Sequence, residues 1–132
     1  MEKITYSMLA PTEDEEQAAV IEWAELNSAR FPCLEWLYAI PNGGKRDIRE
    51  AVKFKKTGVK AGVPDLHLPI PKGKYHGLYI EMKRRQNGRL SPEQRKWLRG
   101  LTEQGYYCAM CKGSDEAIKV ILNYIKERID KE

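Results

Sequence analysis

Hydrophobic and polar residues alternate along two stretches that flank a short turn in the middle of the chain. In the first stretch the apolar positions are Leu66, Leu68 and Ile70, and the positions between them are Asp65, His67 and Pro69. In the second stretch the apolar positions are Leu78, Ile80 and Met82, and those between them are Tyr79, Glu81 and Lys83. A period of two on both sides of the turn Pro71–Lys74 predicts a β-hairpin. Asp65, Glu81 and Lys83 then point away from the core.

The rest of the chain reads as helices separated by short apolar runs. Helical periodicity and capping residues predict helices from Glu13 to about Asn27, over Asp47–Thr57, from Ser91 to Gly105, and after a cap at Ser114. The apolar stripe of the first helix is Gln17, Val20, Ile21 and Ala24, and Thr12 is its predicted N-cap. Short apolar runs predict strands at Cys33–Ile40 and Tyr106–Met110. This order predicts an α/β domain with a mixed four-stranded sheet flanked by helices.

The size and composition of the chain limit its architecture. With 132 residues and a mass of 15.3 kDa, residues 1–132 suffice for a single domain with a core and leave no room for a second domain. No apolar run reaches the roughly 18 residues of a membrane span, and the start M-E-K-I-T-Y is unlike a signal peptide. We therefore expect a cytoplasmic protein with no membrane partner.

The three cysteines give little support to a metal or redox site. Cys108 and Cys111 have the C-x-x-C spacing, but no second C-x-x-C or H-x-H pair accompanies them. They also lie within or next to the apolar run at residues 106–110. Buried free thiols are therefore preferred over half of a zinc site or a redox pair.

Charge is distributed unevenly, although the net charge is only +4. Residues 1–35 contain eight acids and two bases, whereas residues 45–60 contain seven bases and two acids, and residues 83–99 contain seven bases and one acid. Basic clusters of this kind are typical of proteins that bind a phosphate backbone. A solvated helix face would explain either cluster alone. Both clusters flank the predicted hairpin in sequence, which favours a nucleic acid as the partner.

The polar side of the hairpin has the groups that a divalent cation requires. If the turn centres on Gly73, Asp65 lies opposite Glu81, and cross-strand Cβ atoms are about 4.5–5.5 Å apart. Two carboxylates at that distance repel unless a cation such as Mg²⁺ neutralises them. Lys83 beside them could steer a water molecule or stabilise charge on a phosphate. The alternative is a surface salt bridge between Glu81 and Lys83, with Asp65 merely starting a strand.

The start of the third predicted helix, S-P-E-Q at residues 91–94, permits two interpretations. Ser91 as the N-cap, Pro92 at the first helical position and Gln94 as the third helical residue form a capping box, which explains Gln94 completely. Gln94 also shares a helix face with Leu98 and Leu101 and therefore points inward. The two roles compete for one side-chain amide.

These residues lead to a resemblance with a known family. Pro64-Asp65 followed by Glu81-Met82-Lys83 resembles the PD-(D/E)xK nuclease motif. The surrounding segments are P-N-G-G at 41–44, G-V-K-A-G-V-P-D at 58–65, G-L-Y-I-E-M-K at 77–83 and S-P-E-Q at 91–94. Together they are similar to the VRR-NUC (virus-type replication-repair nuclease) domain, most closely to its stand-alone bacteriophage and prophage members. The similarity extends from about Glu13 to Tyr124, and it implies a restriction-endonuclease-like PD-(D/E)xK core.

The resemblance implies a role for each matching residue. Asp65 and Glu81 would bind Mg²⁺ or Mn²⁺, with the main-chain carbonyl of Met82 and the carboxylate of Glu13 as further ligands. Glu16 is the substitute for Glu13, because several acids share the first helical turn. Lys83 would act on the water molecule, and Gln94 would complete the catalytic set. The predicted DNA contacts, drawn from the P-N-G-G segment and the basic clusters, are Asn42, Lys45, Arg46, Lys60, Arg84, Arg85 and Lys96.

The resemblance also implies a substrate and an assembly. Stand-alone members of the family are associated with homodimers that cut branched DNA such as Holliday junctions, and two cuts on a two-fold symmetric junction require two active sites. One alternative is a DNA-binding module without catalysis, although binding alone gains nothing from two carboxylates that face DNA phosphates. The other is a nuclease of ordinary duplex DNA, such as a restriction-type enzyme that cuts a specific sequence, for which 132 residues leave little room for base-reading loops or an extra domain.

Overall fold

A mixed sheet of four strands lies at the centre of the computed structural model, which describes residues 10–41 and 48–129. Its strands are β1 (Tyr38–Ala39), β2 (Leu66–Leu68), β3 (Leu78–Lys83) and β4 (Tyr107–Lys112). They follow the order β1-β2-β3-β4, with β2 antiparallel to both β1 and β3, and with β4 parallel to β3. The predicted hairpin and mixed sheet are confirmed.

Four α-helices accompany the sheet within the described residues: α1 (Glu13–Asn27), α2 (Ile48–Lys56), α3 (Pro92–Glu103) and α4 (Ser114–Ile125). The Thr12 hydroxyl accepts a hydrogen bond from the Glu15 amide at 3.1 Å, and the Glu15 carboxylate accepts one from the Thr12 amide at 3.2 Å. This reciprocal pair satisfies two backbone groups that would otherwise lack partners at the start of α1. The helix therefore begins where the sequence predicts.

The core lies between one face of the sheet and the helices α1 and α4. Its side chains include Val20 and Ala24 from α1, Ile121 and Tyr124 from α4, and Leu66, Leu68, Leu78, Ile80, Met82 and Cys111 from the sheet. Each is at most 4% exposed, so burial of apolar surface is the main stabilising contribution here. In the predicted stripe of α1, Gln17 and Ile21 are only partly buried.

The predicted strand over Cys33–Ile40 is wrong for most of its length. Residues Pro32–Trp36 form a 3₁₀-helix, and only Tyr38–Ala39 belongs to a strand. Proline at the first helical position favours this turn, and Leu34 and Leu37, three residues apart, lie on one side of it. An apolar run of this length does not distinguish a short helix from a strand.

The predicted cap of the last helix is also wrong. Gly113 occupies the N-cap position, with a φ of +92°, and no side chain caps the helix. Ser114 is the first helical residue instead, and its hydroxyl donates a hydrogen bond to the Glu16 carboxylate at 3.2 Å. The preceding strand β4 extends to Lys112, two residues beyond the predicted end.

The three cysteines are free thiols, as the sequence predicts. Cys111 is buried, and burial raises the pKa of its thiol to about 12, whereas Cys33 and Cys108 are only partly buried. In the described part of the chain, no helix is both long and apolar enough to cross a membrane.

Candidate active site

The register of the hairpin places Asp65 beside Glu81. Leu66 pairs with Ile80, so the next pair along the ladder is Asp65 with Glu81. The Asp65 carbonyl accepts a hydrogen bond from the Ile40 amide at 2.8 Å, and its carboxylate Oδ2 accepts one from the Met82 amide at 2.7 Å. Asp65 is therefore held by backbone groups on both sides, and its carboxylate is fixed against β3.

Glu81 is a buried acid, only 2% exposed, in the central part of the sheet. Burial, followed by a hydrogen bond to the Asp65 carboxyl and the Asp65 charge, raises the pKa of Glu81 to about 9. The charge of Lys83 opposes this rise, and the charge of Glu13 adds to it. Glu81 therefore retains its proton at neutral pH when no cation is bound.

Lys83 lies on the same side of β3 as Glu81, two residues further along the strand. Its Nζ atom is 3.9 Å from Glu81 Oε2, and the residue is 7% exposed. The alternative of a surface salt bridge is wrong, because both side chains are buried. A buried ammonium group is costly unless a negative group faces it, and here the Asp65–Glu81 pair supplies that charge.

Gln94 makes both of the contacts that the sequence leaves open, namely the helix cap and a contact directed into the fold. Its side-chain Oε1 accepts a hydrogen bond from the main-chain amide of Ser91 at 2.9 Å. The main-chain amide of Gln94 donates one to the Ser91 hydroxyl at 3.1 Å. The Nε2 of the same side chain donates to Glu81 Oε2 at 3.4 Å. The two ends of one amide thus serve the helix cap and the acid pair, and the capping box fixes the end that faces Glu81.

The structure separates the roles of the two acids at the start of α1. Glu16 is 3% exposed and accepts two hydrogen bonds from Arg85, at 2.7 Å from Nε and 3.2 Å from Nη2. Burial acts to raise the pKa of Glu16, but the hydrogen bonds and charge of Arg85 and the hydrogen bonds from Ser114 lower it below its ordinary value. Glu16 is therefore a charged group in an ion pair. Glu13 is the acid whose charge acts on Glu81.

Several predicted DNA contacts are exposed, and others lie outside the described residues. Lys60, Arg84 and Lys96 are exposed. Arg85 is committed to its ion pair with Glu16, and it also lies 3.6 Å from the Asp115 carboxylate, so its contact with DNA stays a prediction. Asn42, Lys45 and Arg46 fall within residues 42–47, outside the described part of the chain.

His67 occupies the same side of the sheet, two residues from Asp65. Its Nδ1 is 3.0 Å from the Tyr38 hydroxyl, and its ring stacks on Tyr79 with centroids 4.0 Å apart. Burial lowers the pKa of His67, so the ring is neutral at physiological pH. It forms part of an aromatic layer with Tyr38, Tyr79 and Tyr106.

The acid pair offers the oxygen ligands that suit a hard divalent cation such as Mg²⁺ or Mn²⁺. Over residues 10–41 and 48–129, no three His, Cys, Asp or Glu side chains form a cluster that could hold a metal. Mg²⁺ needs no such cluster, because it commonly binds one or two carboxylates and keeps several water molecules. Asp65 and Glu81 provide carboxylate oxygens as ligands, and a bound cation would replace the proton that Glu81 holds at neutral pH. The side chain of Met82 is in the core, so only its main chain is a possible ligand.

Replacing Glu81 with glutamine is expected to stabilise the metal-free protein increasingly as the pH rises. The pKa of Glu81 is raised from 4.5 to about 9, so the folded state binds more protons than the unfolded state between these values. Its contribution to stability is complete below the lower value and is lost as the pH rises through the upper one. The free energy of unfolding of the variant, relative to wild type, should rise by up to about 1.4 kcal/mol per pH unit in this window.

Urea unfolding in EDTA across this pH window measures the effect. Glu93→Gln, a change to an exposed acid at the start of α3, is the matched control and should follow the wild-type pH profile. Parallel profiles for Glu81→Gln and wild type would contradict the raised pKa.

The chain is similar to known proteins in sequence and in fold. A model of the VRR-NUC domain family matches residues 11–115. A solved structure named as a VRR_NUC domain protein is 38% identical in sequence with a TM-score of 0.75, and the match covers 89% of this chain and 90% of that chain. No curated protein matches the chain. The family model spans most of the chain, and the solved structure is similar over nearly its whole length, so the chain belongs to the VRR-NUC domain family.

Proposed function

We propose that this protein is a Mg²⁺- or Mn²⁺-dependent endonuclease that hydrolyses phosphodiester bonds in branched DNA such as Holliday junctions. VRR-NUC domains are nuclease domains, so a role in DNA processing follows from the family. The observation that best supports the proposed chemistry is the convergence of Asp65, Lys83 and Gln94 on the buried carboxylate of Glu81. Side chains up to 29 residues apart in sequence meet at this one carboxylate.

The proposed cation is held by carboxylates of the hairpin. Asp65 and Glu81 would hold it, together with the main-chain carbonyl of Met82, and Glu13 is a further acid whose charge acts on Glu81. A bound divalent metal lowers the pKa of a coordinated water and offsets negative charge on the reacting phosphate. Gln94 and the Met82 amide orient the two ligand carboxylates through hydrogen bonds, so these ligands need little rearrangement on binding.

Lys83 is the positively charged side chain beside the two carboxyl groups. Its ammonium group is buried, and Coulomb interactions are stronger in such an environment than in water. Lys83 would donate a hydrogen bond from Nζ to the attacking water or to a phosphate oxygen. Stabilisation of this kind is most effective when the donor is already in place before the charge develops.

A DNA-binding module without catalysis is a weaker explanation of this geometry. Burying Glu81 beside Asp65 raises its pKa to about 9, which means that the folded protein carries an unfavourable arrangement of acids. Phosphate binding alone would be better served by bases at these positions. Costly polar arrangements of this kind are found at functional sites, where they serve the chemistry.

The preference for branched DNA and the homodimer rest on the family resemblance and on symmetry. A four-way junction has two equivalent strands to cut, so a dimer with two-fold symmetry would present one active site to each. The exposed bases Lys60, Arg84 and Lys96 provide positive charge for the phosphate backbone without reading base sequence.

Cleavage of a labelled four-way junction beside a matched linear duplex tests this proposal. Wild type and Asp65→Asn are incubated with Mg²⁺, with Mn²⁺ or with EDTA. Asparagine keeps an oxygen that can accept the Met82 amide, so the variant should fold normally. We expect symmetric, metal-dependent cuts in the junction alone, and none with Asp65→Asn. Equal cutting of both substrates would overturn the preference for branched DNA. Binding without cleavage under every metal would overturn the enzyme.

A further inference from the structure

A groove of about 970 Å³ lies between α2 and α3. Its apolar wall includes Phe54 from α2 and Trp97 and Leu101 from α3, all partly buried. Ligand-binding clefts commonly have volumes of roughly 300–1,000 Å³ and walls of aromatic and aliphatic side chains. The groove therefore has the size and the lining of a binding site for a planar, largely apolar group.

The rim of this groove is positively charged. Lys55, Lys60 and Lys96 line it, against the single acid Glu93 among the described lining residues. All three lysines are exposed and belong to different elements, namely α2, the segment after it, and α3. An aromatic floor with a basic rim is complementary to a ligand that has both a flat ring and a negative charge, and a nucleotide has both.

The groove is adjacent to the acid pair. Gly62, three residues before Asp65, packs so closely on α3 that a Cβ atom there would lie 2.7 Å from the Glu93 carbonyl carbon. Gln94, the next residue, donates to Glu81. Gly62 is thus a close contact between the segment before Asp65 and the start of α3. Glu93, which lines the groove, is therefore next in sequence to a residue that contacts the acid pair.

We infer that this groove binds an unpaired nucleotide of the DNA substrate, with its base against Trp97 and its phosphates near the lysines. The inference rests on the proposed function in one respect, namely that DNA reaches Glu81. Bases within a duplex are stacked on each other and are not available to an aromatic side chain, whereas the bases of a displaced or branched strand are. The groove would therefore contribute a preference for DNA with unpaired nucleotides next to the cut.

Equilibrium binding tests the inference without any cleavage. All proteins carry Asp65→Asn, and all titrations are performed in EDTA with a blunt duplex or the same duplex bearing a single-stranded tail of about six nucleotides. We expect Trp97→Leu to weaken binding of the tailed duplex about tenfold and to leave the blunt duplex unchanged. Trp97→Phe keeps a stacking surface and should retain most of the affinity. Trp36→Leu, at an exposed tryptophan of the 3₁₀-helix, should change neither affinity.

Three results would overturn the inference. The first is an equal loss on the tailed and the blunt duplex, and the second is no loss on either. The third is a change in the sedimentation coefficient of Trp97→Leu in the absence of DNA, which would mean that a second copy of the chain occupies the groove. Because the titrations contain no metal, their outcome is independent of whether the wild-type protein cuts DNA. Failure of the junction assay and failure of this experiment are therefore distinguishable.

Discussion

Replacing Lys83 with methionine is expected to lower the kcat of DNA cleavage by about 10²–10³-fold, because one preorganised donor to the transition state is lost. Lys83 is 7% exposed, and its Nζ atom is 3.9 Å from the carboxylate of Glu81. Methionine fills a similar volume without charge, so the lower kcat should arise from the missing ammonium group and not from altered packing. The affinity of the variant for an uncut junction in EDTA should remain close to that of wild type.

The neighbouring strand offers a matched control. Lys112 on β4 pairs in register with Lys83 on β3, but it is exposed, and no described contact links its side chain to Glu81. Lys112→Met removes the same charge from the same row of the sheet, so it should lower kcat little. Single-turnover cleavage of a labelled junction at saturating enzyme measures the chemical step for both variants. Equal losses for the two variants would mean that Lys83 acts only through general positive charge, and the proposed role would then be wrong.

The sequence predicts the position of the acid pair because β-pairing is a strict geometric rule. Once the turn is placed near Gly73, the register that pairs Leu66 with Ile80 also brings Asp65 opposite Glu81. The alternation of apolar and polar positions predicts which side each residue faces. It does not predict that the polar side of β3 is covered as well, and this cover is what buries Glu81 and Lys83. Gln94 at the start of α3 contacts Glu81, and a Cβ atom at Gly88 would lie 2.9 Å from the Cβ atom of Lys83, so both contacts come from residues that follow β3 and depend on the tertiary structure.

Local patterns were less informative where a residue has more than one use. Gln94 satisfies a capping box from local sequence alone, and its second contact, with Glu81, requires the tertiary structure. Ser114 resembles a helix cap, yet its hydroxyl bonds to Glu16, 98 residues earlier in the chain. In each case the local explanation is complete without the distant partner. Only the folded chain shows whether that partner is there.

The sequence contains a signal for the burial of Glu16, which the prediction of the first helix does not include. Glu16 lies four residues before Val20 and eight before Ala24, and the three side chains are buried on one face of α1. An acid on the buried face of a helix requires a partner, because an unpaired buried charge is strongly unfavourable. Arg85 is that partner. It lies in a basic cluster, and for this reason the sequence assigns it to DNA contact.

Replacing Arg85 with methionine is expected to lower the free energy of unfolding by about 2–4 kcal/mol, since it leaves the buried Glu16 carboxylate without its cation. The pair joins α1 to the segment that follows β3, two residues after Lys83. Gly113 packs against it so closely that a Cβ atom there would lie 2.7 Å from Glu16 Oε2. Little space is therefore left for a water molecule to replace the guanidinium.

The reverse change should be milder. Glu16→Gln leaves a partly exposed guanidinium near Asp115, which solvent can hydrate, so we expect a loss of about 1–2 kcal/mol. Glu16→Met combined with Arg85→Met removes both charges and should be more stable than Arg85→Met alone. Urea unfolding at neutral pH of the single and double variants gives the coupling free energy between the two side chains.

Arg84→Met, a change at the exposed neighbouring arginine, distinguishes stability from DNA contact. It should leave the free energy of unfolding unchanged and weaken binding to DNA at low salt, since an exposed arginine contributes through phosphate contacts. If Arg85→Met is no less stable than Arg84→Met and instead loses DNA affinity, the ion pair does not stabilise the fold. The sequence-based assignment of Arg85 to DNA would then be preferred. A large loss of stability confined to Arg85→Met identifies Glu16 and Arg85 as the link that holds the end of β3, and with it Lys83, in position.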